Sequence, residues 1–114
     1  MVTLYGIKNC DSVKKAVKFL KENDIAYEFV DFKSTPVDCD TVTPWSAQVE
    51  MKKLFNTRGT TYRTLKLKAL NLDDDAKLQW LCKENLLIKR PVLDVDGKIT
   101  VAFELEIYKT LFLN

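Results

Sequence analysis

Histidine is absent from this 114-residue chain. Every mechanism that takes up a proton on an imidazole is thereby excluded, Ser-His and Cys-His hydrolases among them. No Cys-x-x-Cys pair occurs, so neither a zinc site nor a redox centre of that spacing is supported, and no metal is expected. No run is long and apolar enough to cross a bilayer. Residues 1–6 lack the basic start and long apolar core of a signal peptide, and Lys8 closes the apolar run early. A cytoplasmic protein with no membrane partner is expected. Excess charge is also missing. Lys plus Arg number 18 and Asp plus Glu 16, leaving +2, which argues neither for nucleic acid nor for an anionic surface. Trp45, Trp80 and Tyr62 are too scattered for a base-stacking platform and read as packing residues.

What is present describes a folded protein. Hydrophobic residues make up 46% and charged residues 30%, the profile of a globular domain. A chain of this length is expected to form one domain, burying roughly two thirds of the surface its unfolded form exposes. The three cysteines, Cys10, Cys39 and Cys82, are expected as free thiols in a reducing compartment.

Residues 2–6 read as a short buried strand ending at Gly6. A loop over 7–10 leads to Asp11 and Ser12, good helix caps, and Val13, Ala16, Val17 and Leu20 follow at helical spacing. That helix is predicted over 11–22, with a stop at Asn23-Asp24. Residues 26–32 read as a second strand, and the βαβ unit makes the two strands parallel. A helical stretch is predicted over about 41–56, as one helix or two short ones, with Pro44 in a first turn after Thr43. Residues 56–61 form a loop, and 62–67 read as a helical turn. Asp73, Asp74 and Asp75 open a further helix that ends near Asn85. Asp96-Gly97 between two alternating apolar runs is a strong hairpin signal, and a helix closes the chain after Phe103. This is an α/β chain of the thioredoxin-like kind. It has a mixed four-stranded sheet, β-α-β then β-β-α, within a single domain over 1–114 that carries a helical insert at about 35–88.

Cys10 reads as a reactive cysteine, with a small packing residue as the alternative. At the mouth of a strand-to-helix loop, the free N–H groups and positive dipole of the helix favour thiolate over thiol. Lys8, Lys14 or Lys15 would add to that, and Asp11 acts against it. Arg90 offers a two-pronged contact to an oxyanion or carboxylate, and a plain surface charge is the alternative. Arg58 could act likewise, or cap a preceding helix through its carbonyls. Pro91 reads as a strand cap or as a cis-proline beside Cys10. Cys82 falls on an apolar helical stripe and reads as core. Cys39, in a polar loop, reads as a free thiol or as a resolving partner for Cys10.

Three segments taken together resemble the arsenate reductase-related (ArsC/Spx/YffB) family, and its YffB-like branch most. They are Tyr5-Gly6-Ile7-Lys8-Asn9-Cys10-Asp11, then Asn56-Thr57-Arg58-Gly59-Thr60-Thr61-Tyr62-Arg63, then Ile88-Lys89-Arg90-Pro91-Val92. The resemblance implies a thioredoxin fold with a helical insert and Cys10 as the redox cysteine beside Arg90 and Pro91. It implies Lys8, Asn9, Arg58 and Pro91 as substrate contacts and glutathione or glutaredoxin as the thiol partner, with no bound cofactor. Arsenate is the implied oxyanion. Of three oxyanion-holding arginines in such reductases, Arg90 matches one. Asn56 stands at the second position with Arg58 two residues on, and Ala102 stands at the third. The regulatory alternative is a monomeric Spx-type module bound to the α-subunit of RNA polymerase, although Val13 stands where its Cys-x-x-Cys switch would place a cysteine.

Overall fold

The computed structural model describes residues 1–113. Strand β1 (Val2–Gly6) is followed by helix α1 (Asp11–Glu22) and strand β2 (Glu28–Asp31). Helices α2 (Cys39–Gln48), α3 (Met51–Leu54), α4 (Thr60–Thr64) and α5 (Asp74–Lys83) come next, with 3₁₀ turns at Leu67–Leu70 and Asn85–Leu87. Strands β3 (Val92–Val95) and β4 (Lys98–Val101) form a hairpin, and α6 (Leu105–Leu113) closes the described chain. The sheet order is β2-β1-β3-β4. β1 runs parallel to β2 and antiparallel to β3. This is the thioredoxin-like arrangement expected from the sequence.

Successive residues of a strand point to opposite faces, and both faces of this sheet are covered. Leu4 and Leu93 join Ala16, Phe19 and Leu20 of α1 and Tyr108 of α6 on one side. Tyr5 and Val92, their chain neighbours, pack on the other side with Trp45, Leu54, Leu81 and Ile88 from the helical section. Two-sided burial explains why β1 and β3 lack polar alternation.

Most boundaries follow local chemistry. α1 stops where Asn23 donates from both its backbone and its side-chain nitrogen to the Phe19 carbonyl, and Asp24 takes a left-handed φ of 54°. α5 starts where the Asp73 carboxylate accepts from the Ala76 N–H at 2.8 Å. The hairpin turns on Asp96 and Gly97, with φ of 51° and 92°, the pair of positive values that a type I′ turn requires.

Four expectations need correction. β2 is shorter than 26–32, because after Asp31 only the Phe32 N–H still bonds across, to the Gly6 carbonyl. The helix predicted from 41 begins at Cys39, because Asp38 caps it through the Thr41 N–H. Pro44 therefore lies beyond the first turn, where its ring nitrogen has no hydrogen to give the Asp40 carbonyl. The loop predicted over 56–61 stops at Gly59, and the turn predicted over 62–67 starts and ends earlier, because α4 spans Thr60–Thr64. α5 ends at Lys83, near Asn85 as expected, and the buried Asn85 amide bonds back to the Leu81 carbonyl. Cys39 and Cys82 are not free thiols: they form a disulfide with Cα atoms 4.9 Å apart. The pairing joins residues 43 apart in sequence, a contact that only the packing of α2 on α5 creates.

Tyr108 is fully buried, and its hydroxyl has no hydrogen-bond partner among the described residues. Burial pushes the phenol well above its ordinary pKa of 10.0. The unfolded chain ionises this group near pH 10, whereas the folded chain keeps it neutral. Its contribution to stability is full below about pH 10 and falls as the pH rises further. Tyr108→Phe is expected to stabilise the fold by about 1 kcal/mol at neutral pH, since it removes an unsatisfied buried polar group. It should also flatten the alkaline loss, and urea melts of both proteins at pH 7 and pH 11 check this.

Candidate functional site

Cys10 is itself the N-cap of α1, with φ −143° and ψ 124°. The sequence places the cap at Asp11 or Ser12, and the structure moves it onto the cysteine. Its carbonyl accepts the first helical bond, from the Lys14 N–H at 2.9 Å. Its side chain makes no capping hydrogen bond. The N–H groups of Asp11, Ser12 and Val13, in the first turn, have no intrahelical acceptor, and the Cys10 side chain does not take one. Cys10 as a residue is half-buried, and it is the one free thiol among the described residues.

β-Sheet register brings the second half of the site to the same place. Tyr5 pairs with Val92 in the antiparallel β1–β3 ladder. The end of β1, which leads to Cys10, thus lies against the start of β3, which follows Arg90 and Pro91. The Arg90–Pro91 peptide is cis. The Pro91 carbonyl accepts from the Ala102 N–H at 2.9 Å, so the third arginine-equivalent position also arrives at this sheet end. It carries only a methyl group, on backbone at φ 69°.

Arg90 is half-buried and held from behind. One terminal nitrogen, Nη1, donates to the Leu86 carbonyl at 3.0 Å. Its Nε is buried and has no partner among the described residues. The bond to Leu86 fixes the guanidinium in place, and a guanidinium held in one geometry binds an anion at less entropic cost.

A short antiparallel bridge between Phe55 and Ile88 brings up the 56–59 loop. It is reinforced by bonds from the Lys89 N–H to the Leu54 carbonyl and from the Asn56 N–H to the Leu87 carbonyl, both 2.8 Å. Asn56 shapes the loop through its side-chain oxygen, which accepts from the Arg58 N–H at 3.1 Å. Arg58 itself is exposed, and its carbonyl accepts from Arg63 Nη1 at 2.8 Å. The helix-capping alternative for Arg58 is thus replaced: its carbonyl is capped by Arg63, and its guanidinium is left facing solvent. Lys8 and Asn9 are exposed in the loop before Cys10. Lys8 lines a cleft of about 560 Å³ between α1 and β2, together with Lys14, Tyr27 and Phe29. Cys39, the suggested resolving thiol for Cys10, is instead bonded to Cys82.

Sequence reading gives no role to two positioning residues. Arg63 holds the 56–59 loop, and its spacing from Arg58 carries no signal by itself. Gly6 holds α1 close to β1: a Cβ placed there would lie 2.7 Å from Val13 Cγ2. Gly6→Ala is expected to cost about 2 kcal/mol by overpacking. It should also change the alkylation rate of Cys10 by pushing the first turn of α1 outward. Adding Val13→Ala should restore the rate, and timed alkylation followed by mass spectrometry of the single and double variants checks this.

The ArsC family model matches residues 5–111. The solved structure of the YFFB (PA3664) protein superposes with a TM-score of 0.89 at 34% identity, covering 96% of this chain and 97% of that one. An arsenate reductase of Neisseria meningitidis is 28% identical, over 92% of each chain. The global transcriptional regulator Spx of Listeria innocua is 27% identical, over 90% of this chain and 80% of its own.

Proposed function

The chain belongs to the ArsC family, and from that membership we propose that it is a thiol oxidoreductase working through Cys10. Its partner is a glutathionyl compound or a glutaredoxin. The observation that carries this reading is the position of the sulfur. It caps α1 without a hydrogen bond of its own, at the sheet end where β3 begins after Arg90 and Pro91.

In this reading the Cys10 sulfur attacks one sulfur of a disulfide. A new S–S bond forms, the old one breaks, and the leaving thiolate takes a proton from water. A second thiol then attacks the mixed disulfide, which releases Cys10 and carries the electron pair back. Arg90 holds a carboxylate or oxyanion of the substrate through the guanidinium nitrogen that Leu86 leaves free. The Pro91 carbonyl is already taken by Ala102, so it is through the main chain of Arg90, just before Pro91, that a peptide-like backbone would pair, as an added strand pairs with a sheet edge. Arsenate reduction is the narrower form. There the sulfur displaces an oxygen from arsenic(V), and attack of glutathione on that sulfur leaves the electron pair on arsenic as arsenite. With Asn56 and Ala102 at the other two arginine positions, a bound oxyanion would meet one guanidinium, so a glutathionyl substrate is favoured over free arsenate.

Incubation with oxidised glutathione, followed by digestion and mass spectrometry, tests the proposal. One glutathionyl group on Cys10 is the expected result. No adduct, or an adduct confined to Cys39 or Cys82, overturns it.

The exposed lysines of α1, Lys14, Lys15, Lys18 and Lys21, favour a second reading. In it the chain is a regulatory module that docks this face on the RNA polymerase α-subunit. Capture of the polymerase α C-terminal domain by the wild type and equally by Cys10→Ser is the result expected of that reading. Absence of capture removes it.

A further inference from the structure

We propose that Cys39 and Cys82 form a second thiol–disulfide centre, opened and closed by low-molecular-weight thiols, whose state sets how firmly Arg90 is held. The opening chemistry stands apart from the Cys10 reading, while the effect on Arg90 rests on it.

Three observations support the proposal. First, the bond is reachable. Both residues are half-buried rather than sealed, and Cys82 lines an open cleft of about 500 Å³ with Phe32, Lys33, Pro36 and Lys83. Second, the covalent tie duplicates a non-covalent one. Next to Cys39, the Val37 N–H donates to Asn85 Oδ1 at 2.7 Å and its carbonyl accepts from Asn85 Nδ2 at 3.1 Å. The segments leading into α2 and out of α5 therefore stay together when the sulfurs part, so opening does not require unfolding. Third, Cys82 is four residues before Leu86, whose carbonyl holds Arg90 Nη1. That carbonyl sits in the 3₁₀ turn Asn85–Leu87 just after α5, so the disulfide adds a second hold to the one Asn85 already gives that turn.

The exchange balances as follows. A thiolate RS⁻ attacks Cys82 Sγ, the bond to Cys39 breaks, and Cys39 leaves as a thiolate that takes up a proton. A second RS⁻ attacks the outer sulfur of the mixed disulfide and releases Cys82. The sum is one protein disulfide and two RSH giving two protein thiols and RSSR, with two electrons moved to the protein. Oxidation by RSSR is the reverse, and glutathione is the probe for RSH.

Cys10→Ser leaves the pair as the only two cysteines, so it isolates this centre. The variant is equilibrated over a series of reduced-to-oxidised glutathione ratios, quenched with an alkylating agent and weighed intact. Two alkyl groups at the reducing end and none at the oxidising end are expected, with native circular dichroism throughout. A bond that stays closed until the protein is denatured, or that never forms under oxidised glutathione, overturns the centre. Cys39→Ser/Cys82→Ser, compared with oxidised wild type, reads the coupling through the exchange rate of Cys10 with an anionic disulfide. A rate several-fold lower in the double variant and in the reduced wild type is expected. Equal rates overturn the coupling. Failure of Cys10 to exchange in any of the three would overturn the Cys10 assignment and, with it, the effect on Arg90, while the alkylation result would stand on its own.

Discussion

Cys10→Ser is expected to yield a protein that is more stable than the wild type and inert at position 10 toward oxidised glutathione. The two effects have one cause. Cysteine occupies the N-cap of α1 in extended backbone and accepts no hydrogen bond there. Serine is among the best residues for that position, because its oxygen accepts from the second or third helical N–H. The gain should be about 1 kcal/mol, read as a higher urea midpoint. The same substitution removes the nucleophile. A better cap is one atom away, so the wild-type residue trades stability for a sulfur that stays uncommitted. A lower midpoint, or a glutathionyl group still found at residue 10, would sink this account.

Asn85→Ala is expected to destabilise the fold by about 3 kcal/mol, at roughly 1 kcal/mol for each hydrogen bond lost. Asn85 is 5% exposed. Its oxygen accepts from Val37, and its nitrogen donates to the carbonyls of Val37 and of Leu81, the latter at 3.0 Å. Alanine would leave one N–H and two carbonyls without these partners at a place that water reaches poorly. Asn85→Asp should not rescue, since a carboxylate keeps the acceptor, loses the donor and buries a charge. Urea unfolding under oxidising conditions, with the disulfide closed, should show a lower midpoint and an unchanged slope. A change below about 1 kcal/mol would mean that water replaces the amide, and would refute the role given to it.

The outer parts of the fold are legible in the sequence, and the middle is less so. β1, α1 and the β3–β4 hairpin are written in local terms: an apolar run ending in glycine, a 3.6-residue period, and Asp96-Gly97 between alternating residues. The helical section is not, since its pieces are short and depend on one another. Asp38 rather than Pro44 decides where α2 begins, and Asn85 ends α5 through contacts with a residue far away in sequence. The site divides in the same way. Cys10 and Arg90 can be picked out by residue type and neighbours. The disulfide, the support of Arg90 by Leu86, and the bond from Arg63 to the Arg58 carbonyl need three-dimensional contacts that no spacing rule supplies. Gly6 is visible as a strand end, but its work is to admit Val13 at close range.

The antiparallel pairing of β1 with β3 also has a consequence for biosynthesis. A polypeptide growing from its N-terminus makes the sulfur early and its arginine late. While the ribosome still holds residues 92–101, β1 lacks its antiparallel neighbour β3. Until the hairpin emerges, the newborn thiol has neither Arg90 nor Pro91 fixed beside it.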